Sequence, residues 1–599
     1  MRKKSLMRLL SLSLCAFAAT TAVACGGGGG GVVNGGNTSG SSTSTSTPTP
    51  DVGDSSSDVG GGDTGGDSTS SQKTQLRVYH YNAGYGQDWV YELKANFEKM
   101  MANVSFEENK MGVEVTITGD MNQRNAEAWR AEPYDVLFLE GPSEFYGMME
   151  KGVVAPLDSI MTTPNPDDNN QTIEEKMTQQ QRDAYNLNGH YYGIPHYAGH
   201  YGLIYNKDMF DQRNFYFAKD KSMGDFISDT NPEKTLGPDG KTGVIDGIDY
   251  STDDGLPTTY EEFFYLCEEI NANGIDPICW PGEYYHQHTM LFMDNLIANH
   301  EGAEQMNLNY SMEGTATDLI KLDAFGNIVF DAEGNPVIDD PLEITSANAY
   351  ELARQEGRYY ALKFMEQLMT NTDYFNETDS LEDVGRSHIE MQQMFLENGS
   401  LGYRENAMLM DGVWWQMEAT ATFNNMSAID QKWSKDNRHF GWMPLPQATQ
   451  EDADAIANGD RKSVFIDYLN AVACIKSNTP SEGVKNAALQ FLKYAYTDEA
   501  LANFTYTTGT TIGVEYLDAV DRAKLTPYER TLVDYLEKSE IVYQVSGNKF
   551  YASNIANLTP SKRYSILGYQ GAAEAFYVDG ITAEYYFTAH QAGYKGCAW

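Results

Sequence analysis

The chain has 599 residues, with 85 acidic against 42 basic side chains and a formal net charge of −43. Such a chain has no basic face to meet phosphates, which excludes nucleic acid as a partner and disfavours tightly anionic ligands. The same surplus of charge keeps a protein soluble on a crowded surface.

The N-terminus carries Arg2, Lys3, Lys4 and Arg8 ahead of an apolar run over residues 9–19, followed by Ala22-Val23-Ala24-Cys25. That order describes a secretory signal over residues 1–24, with an apolar run too short to span a bilayer. The last four residues read in two ways. Ala-x-Ala suits ordinary signal cleavage. The same residues also form a lipobox, with Ala22 where Leu is usual, in which Cys25 is lipidated and becomes the mature N-terminus. Residues 26–74 favour lipidation. They are mostly Gly, Ser, Thr and Asp, cannot bury enough surface to offset their chain entropy, and form a flexible tether with a span on the order of 40 Å. One lipid site implies anchoring to a membrane, not spanning it.

From residue 75 the chain reads as globular, and its length suits two or more core units. A strand over 76–80 leads through Tyr81-Asn82-Ala83-Gly84-Tyr85 into a helix with Trp89, Leu93, Phe97 and Met100 on one face and Asp88 as candidate N-cap. Val113, Val115 and Ile117 alternate as in a half-buried strand, and the apolar run 135–139 predicts a strand buried on both faces. A helix over 144–150 follows. Strand–helix alternation of this kind indicates an α/β class with a largely parallel sheet. Two insertions, about 218–256 and 323–341, are rich in Asp-Gly and Gly-Asn turn dipeptides; neither meets the EF-hand spacing. Thr258-Thr259-Tyr260-Glu261 predicts a capping box. The helix behind it buries Phe263, Leu266, Cys267 and Ile270 and ends at Gly274. A strand over 275–280 and a helix over about 350–369 come next. Thr479-Pro480-Ser481-Glu482 predicts a second capping box with Pro at N1, ahead of a helix with Val484, Ala487, Ala488, Phe491, Leu492 and Ala495 on one face.

Beyond the leader the cysteines are Cys25, Cys267, Cys279, Cys474 and Cys597. Their spacing fits no zinc ribbon or redox pair. Cys267 and Cys279 read as buried free thiols, with a disulfide between them as the alternative.

Four segments, in order, resemble the extracellular solute-binding proteins of carbohydrate ABC transporters, the group that includes maltose-binding protein. Residues 192–210 (YGIPHYAGHYGLIYNKDMF) are similar to the family's Tyr-Gly-Ile-Pro stretch, apolar strand and Tyr-Asn-Lys-Asp. Residues 256–263 (LPTTYEEF), 407–414 (AMLMDGVW) and 441–446 (GWMPLP) are similar to three further family segments. The family's late Gly-x-x-Pro loop appears as Gly509-Thr510-Thr511-Ile512, without the Pro. The resemblance implies a two-lobed, periplasmic-binding-protein-like α/β fold with discontinuous lobes and a central ligand cleft. It places residues 75–197 and 411–475 in an N-lobe and 198–410 and 476–599 in a C-lobe, with crossings near residues 197–199, 411 and 475–478. The implied function is a lipid-anchored component of an importer at the extracellular face of a Gram-positive-type membrane. Such a protein carries a mono- or oligosaccharide to ABC permease subunits, with no cofactor and no metal.

Sugar rings have apolar faces and hydroxyl rims, so their sites combine flat aromatics with planar polar groups. Positions expected at cleft-facing strand ends single out Tyr85, Tyr197, Trp280 and Trp414 as aromatics and Asn82, Glu140 and Asp411 as polar partners. Trp414 ranks first, because it stands where the family has its Gly-x-Trp residue; Trp415 then points to the core. The alternatives are a surface glycoside hydrolase and a peptide- or metal-binding protein of the same fold class, the latter on the strength of His196, His200, His286 and His288. No Gly-x-Ser-x-Gly, His-Glu-x-x-His or P-loop motif is present.

Overall fold

The computed structural model describes residues 72–595 apart from 83, 123, 220–224, 382–385, 400–403 and 555–567. The leader, Cys25, nearly all of the tether and Cys597 therefore lie outside the described residues.

The elements that position the site run in chain order as β1 (Thr74–Tyr81), α1 (Asp88–Met100), β2 (Val113–Asp120), β3 (Val136–Leu139), α2 (Pro142–Glu150), β4 (Ile194–Pro195) and β5 (Tyr201–Asn206). They continue as α3 (Tyr260–Ala272), β6 (Asp276–Cys279), α4 (Tyr285–Ser311), α5 (Glu356–Thr370), α6 (His388–Glu397), β7 (Asn406–Gly412), β8 (Phe440–Met443), β9 (Val464–Asp467) and β10 (Val472–Ile475). Helices α7 (Glu482–Ala495), α8 (Asp498–Thr508) and α9 (Pro527–Lys538) and strand β11 (Glu540–Tyr543) follow.

Two sheets organise these elements into the expected two-lobed α/β fold. The first has strand order β2-β1-β3-β10-β4, the second β6-β7-β5-β8. Both are mixed, not largely parallel as the alternation predicts. β1 runs parallel to β2 and β3, but β10 is antiparallel to β3 and β4. β6 and β7 are parallel, and β5 is antiparallel to both β7 and β8. The local pattern reports burial on both faces, not strand direction, and all four antiparallel pairs involve a strand that adjoins a crossing between lobes. Each sheet has its own core. Val78, Leu137 and Val472 pack with Phe97, Phe491 and Phe504 in the first lobe. Ile204, Ile278, Leu409 and Trp442 pack with Phe263, Phe292 and Phe364 in the second.

The lobe boundaries differ from the expected ones. β7 and β8 belong to the second sheet, so within 411–475 only the end, β10, joins the first. Helices α7 and α8 pack into the first core, and α9 contributes Tyr528, Leu532 and Tyr535 to the second. The chain accordingly crosses at 196–200, at 468–471 and at 509–526. The first crossing stands where expected; the other two lie further along the chain. All three run side by side. The His196 amide donates to the Ala471 carbonyl at 2.7 Å, Tyr468 to Gly199 at 2.9 Å, Ala198 to Thr511 at 2.9 Å and Gly513 to His196 at 2.8 Å. The altered Gly509–Ile512 loop is thus part of the junction.

Helix starts shift by a residue or two. Asp88 lies in the first turn of α1 behind Gln87. Thr259, not Thr258, caps α3 by accepting from the Glu262 amide, while the Glu262 carboxylate reaches back to Thr258. Ser481 caps α7, which leaves Pro480 just outside the helix. The apolar face expected of α7 is buried in full. In the first insertion, Asp246 (φ 51°) and Gly247 (φ 88°) form a two-residue hairpin turn between Val244–Ile245 and Ile248–Asp249. In the second, the Asp323 carboxylate accepts from the Phe325 and Asn327 amides, and Asp331 repeats the pattern with Glu333 and Asn335. Cys267, Cys279 and Cys474 are buried free thiols.

Candidate functional site

A cleft of about 700 Å³ opens between the lobes. Asn82, Gly84 and Gly86, in the loop after β1, and Met121, just past β2, form its first-lobe wall. The second lobe supplies Tyr284, Gln287, His288 and Leu291 around the start of α4, His388 and Ile389 from the first turn of α6, and Asp411 and Trp414 at the end of β7. Met417 and Glu418 follow one helical turn on, Tyr201 opens β5, and Tyr468 comes from the second crossing. Most of these positions stand at carboxyl ends of strands or beginnings of helices, where open α/β sheets present a crevice.

Trp414 is half-buried and borders both cores, as does Tyr468. Three tyrosines frame its indole: Tyr85, Tyr201 and Tyr468, at ring-centre distances of 6.1, 6.3 and 6.2 Å. A Cβ at Gly412 would fall 2.3 Å from Trp414 Cζ2, so the ring lies where only glycine leaves room. Trp415 points the other way and is buried against Phe395, Phe440 and Tyr528, as expected.

Beside Trp414 stands a polar array. The buried Asp411 carboxylate accepts from the Gly412 amide at 2.7 Å and from Gln392 Nε2 at 3.1 Å. The same Gln392 nitrogen donates to Glu418 Oε2 at 2.8 Å. Burial, followed by the charge of Glu418, pushes the Asp411 carboxyl up to about 7. Burial raises Glu418 as well. The same burial acts in the opposite direction on the His288 imidazole, pushing it down to about 3. Its Nδ1 has no hydrogen-bond partner among the described residues. Gln287 Nε2 donates to Tyr468 Oη at 3.4 Å.

The profile of the bacterial extracellular solute-binding protein family matches residues 82–502, most of the chain. The chain belongs to that family. Its members are binding proteins of the cell exterior. A comparison with curated proteins found no match. Similar solved structures include RafE in complex with raffinose, at 14% identity over 84% of this chain and 99% of that one with a TM-score of 0.44. A chitin oligosaccharide binding protein follows at 14%, 88%, 99% and 0.45, and apo RafE from Streptococcus pneumoniae at 16%, 85%, 98% and 0.43. No helix among the described residues is long and apolar enough to cross a membrane.

Against this family member's cleft, the sequence-predicted residues separate into two sets. Asn82, Asp411 and Trp414 line it. Tyr85 and Tyr197 do not: both are buried at the junction, with rings 4.7 Å apart and the Tyr85 hydroxyl donating to the Ala198 carbonyl at 2.8 Å. Trp280 is fully buried with its ring on Phe375 at 4.8 Å and does not line the cleft. Glu140 faces a separate small cavity of about 10 Å³ with Tyr81, Asn122 and Glu144; burial raises its carboxyl, which accepts from Tyr81.

Of the histidines, His288 lines the cleft, whereas His196 and His200 are buried at the first crossing. No group of three or more His, Cys, Asp or Glu suited to a metal occurs among the described residues. Sequence reasoning missed Tyr201, Tyr468, His388 and Glu418. Tyr201 sits inside the segment that carries the family resemblance, and Glu418 stands one helical turn past Trp414. Nothing local marks Tyr468 or His388.

Proposed function

We propose that the chain binds an extracellular mono- or oligosaccharide in this cleft and delivers it, chemically unchanged, to the permease subunits of an ABC importer. One observation carries the reading: a half-exposed indole framed by tyrosines, set beside a dense row of hydrogen-bonding side chains. An indole face suits the C–H face of a pyranose, and the row suits its hydroxyl rim. Asn82 from the opposite lobe supplies a further amide to the rim. The two acidic side chains of the row come from the same wall and share one donor, whereas hydrolases place their carboxylates on either side of the scissile bond. That supports a binder over an enzyme.

Calorimetry with a panel of oligosaccharides tests the reading. Trp414→Ala should weaken the binding found with wild type by about 1–3 kcal/mol, roughly 5- to 150-fold. Recovery of intact oligosaccharide after long incubation distinguishes binding from hydrolysis. If no saccharide binds, or if the saccharide is cleaved, the reading fails.

For anchoring, Cys25 is the lipidated mature N-terminus in this reading, supported by the lipobox and the tether. It holds the protein at the extracellular face of a Gram-positive-type membrane. Cys25→Ser should release the protein into the medium, and mass spectrometry of the wild-type N-terminus should find the lipid; an unmodified N-terminus would refute anchoring.

A further inference from the structure

The wall of the cleft has a charge character that narrows the ligand further than carbohydrate, on the assumption that the carbohydrate reading holds. Among the described residues no lysine and no arginine lines it. Its carboxyl groups are those of Asp411 and Glu418, and its only ionisable nitrogens among the described residues are on His288 and His388. His288 is buried, lacks a partner at Nδ1 among the described residues, and is kept neutral by its burial. His388 is the one base placed to offset Glu418.

We infer that this cleft selects uncharged saccharides and rejects acidic ones, and that the Asp411–Gln392–Glu418 array beside Trp414 is the element that discriminates. The argument is one of unmatched partners. Gln392 is fully buried and its single amide nitrogen serves both carboxyl groups, at 3.1 and 2.8 Å, in place of a lysine or arginine partner. Carboxylate oxygens accept hydrogen bonds from hydroxyls, and a carboxyl that keeps its proton donates one. A neutral sugar rim satisfies both. A uronate brings a further acidic group beside two carboxyls, into a partly desolvated site where like charges are costly and no guanidinium or ammonium of a described residue awaits it.

The test compares maltotriose, cellotriose, xylotriose and raffinose with trigalacturonate and trimannuronate by calorimetry on the full-length chain. At least one neutral saccharide should bind, with both acidic trimers about 100-fold or more weaker. In Glu418→Gln, which removes one charge and keeps the shape, that gap should shrink to about tenfold or less; Asp411→Asn serves if Glu418→Gln does not fold. Tighter or equal binding of an acidic trimer, or an unchanged gap in the folded variants, overturns the selectivity and leaves carbohydrate binding standing. Binding of neither class overturns both.

Discussion

Two tryptophans, Trp280 and Trp414, stand just past the ends of adjacent strands of one sheet, yet they do opposite work. Trp280 lies in the core against Phe375 and presents nothing to the cleft. Trp414 is held at the surface of both cores by Tyr85, Tyr201 and Tyr468, above the space that Gly412 leaves open. The two therefore respond differently to truncation. Trp280→Ala should lower stability by about 3–5 kcal/mol, as the loss of a buried ring does, and leave the affinity of the folded fraction near wild type. Trp414→Ala should lower affinity while the melting temperature of the free protein barely moves. Thermal melts and calorimetry on the same pair decide this: a large loss of affinity in folded Trp280→Ala would place that ring in the site after all.

At the level of elements, three chain crossings meet at the junction between the lobes. Asp467, at the end of β9, joins two of them: its buried carboxylate accepts from the Gly199 amide at 2.9 Å and from Leu469 and Asn470 at 3.2 Å each. Asn470 takes a left-handed conformation, φ 45°, to complete the turn. Burial nonetheless pushes the Asp467 carboxyl up to about 7, above its value near 4 in an unfolded chain. Between those values the folded protein holds a proton that the unfolded chain has released, so this group's contribution to stability is full below pH 4 and is lost as pH rises through 7. Asp467→Asn cannot titrate there. Its stability relative to wild type should therefore rise by about 2–4 kcal/mol between pH 4 and pH 8. Urea denaturation of both proteins across that range measures the difference, and a flat difference would show that the carboxyl keeps an ordinary value in the fold.

At the scale of the whole molecule, two separate cores joined by three neighbouring crossings allow the lobes to move as bodies about the junction. A ligand that touches Asn82 on one wall and Trp414 on the other interacts with both lobes at once. Small-angle scattering should show a smaller radius of gyration at saturating ligand than without it. An unchanged radius would mean that the free protein is already closed, or that the ligand engages one lobe alone. The net charge of −43 belongs to this scale too. Spread over the surface it favours solubility, and continued into the cleft as Asp411 and Glu418 it sets the sign of the field a ligand meets.

What the sequence determined by itself is whatever depends on neighbours in the chain. The apolar face of α7, that of α1 except Met100, which is exposed, the buried run at β3, the turn dipeptides of both insertions and the four ordered family segments were all legible, because helix and strand burial repeat with local periods. That Asn82, Asp411 and Trp414 line the cleft was legible for a related reason: Asn82 stands just past a predicted strand, and Asp411 and Trp414 lie within a segment that carries the family resemblance. Only the tertiary structure decided what depends on partners far along the chain. The second and third crossings depend on which sheet accepts β7, β8 and β10, a matter of pairing across hundreds of residues and not of local pattern. Tyr468 enters the cleft because the second crossing happens to pass it, and Trp280 leaves it because Phe375, on a distant segment, offers its ring a buried face. A strand end shows where a side chain begins; the packing around it determines whether that side chain meets the core or the ligand.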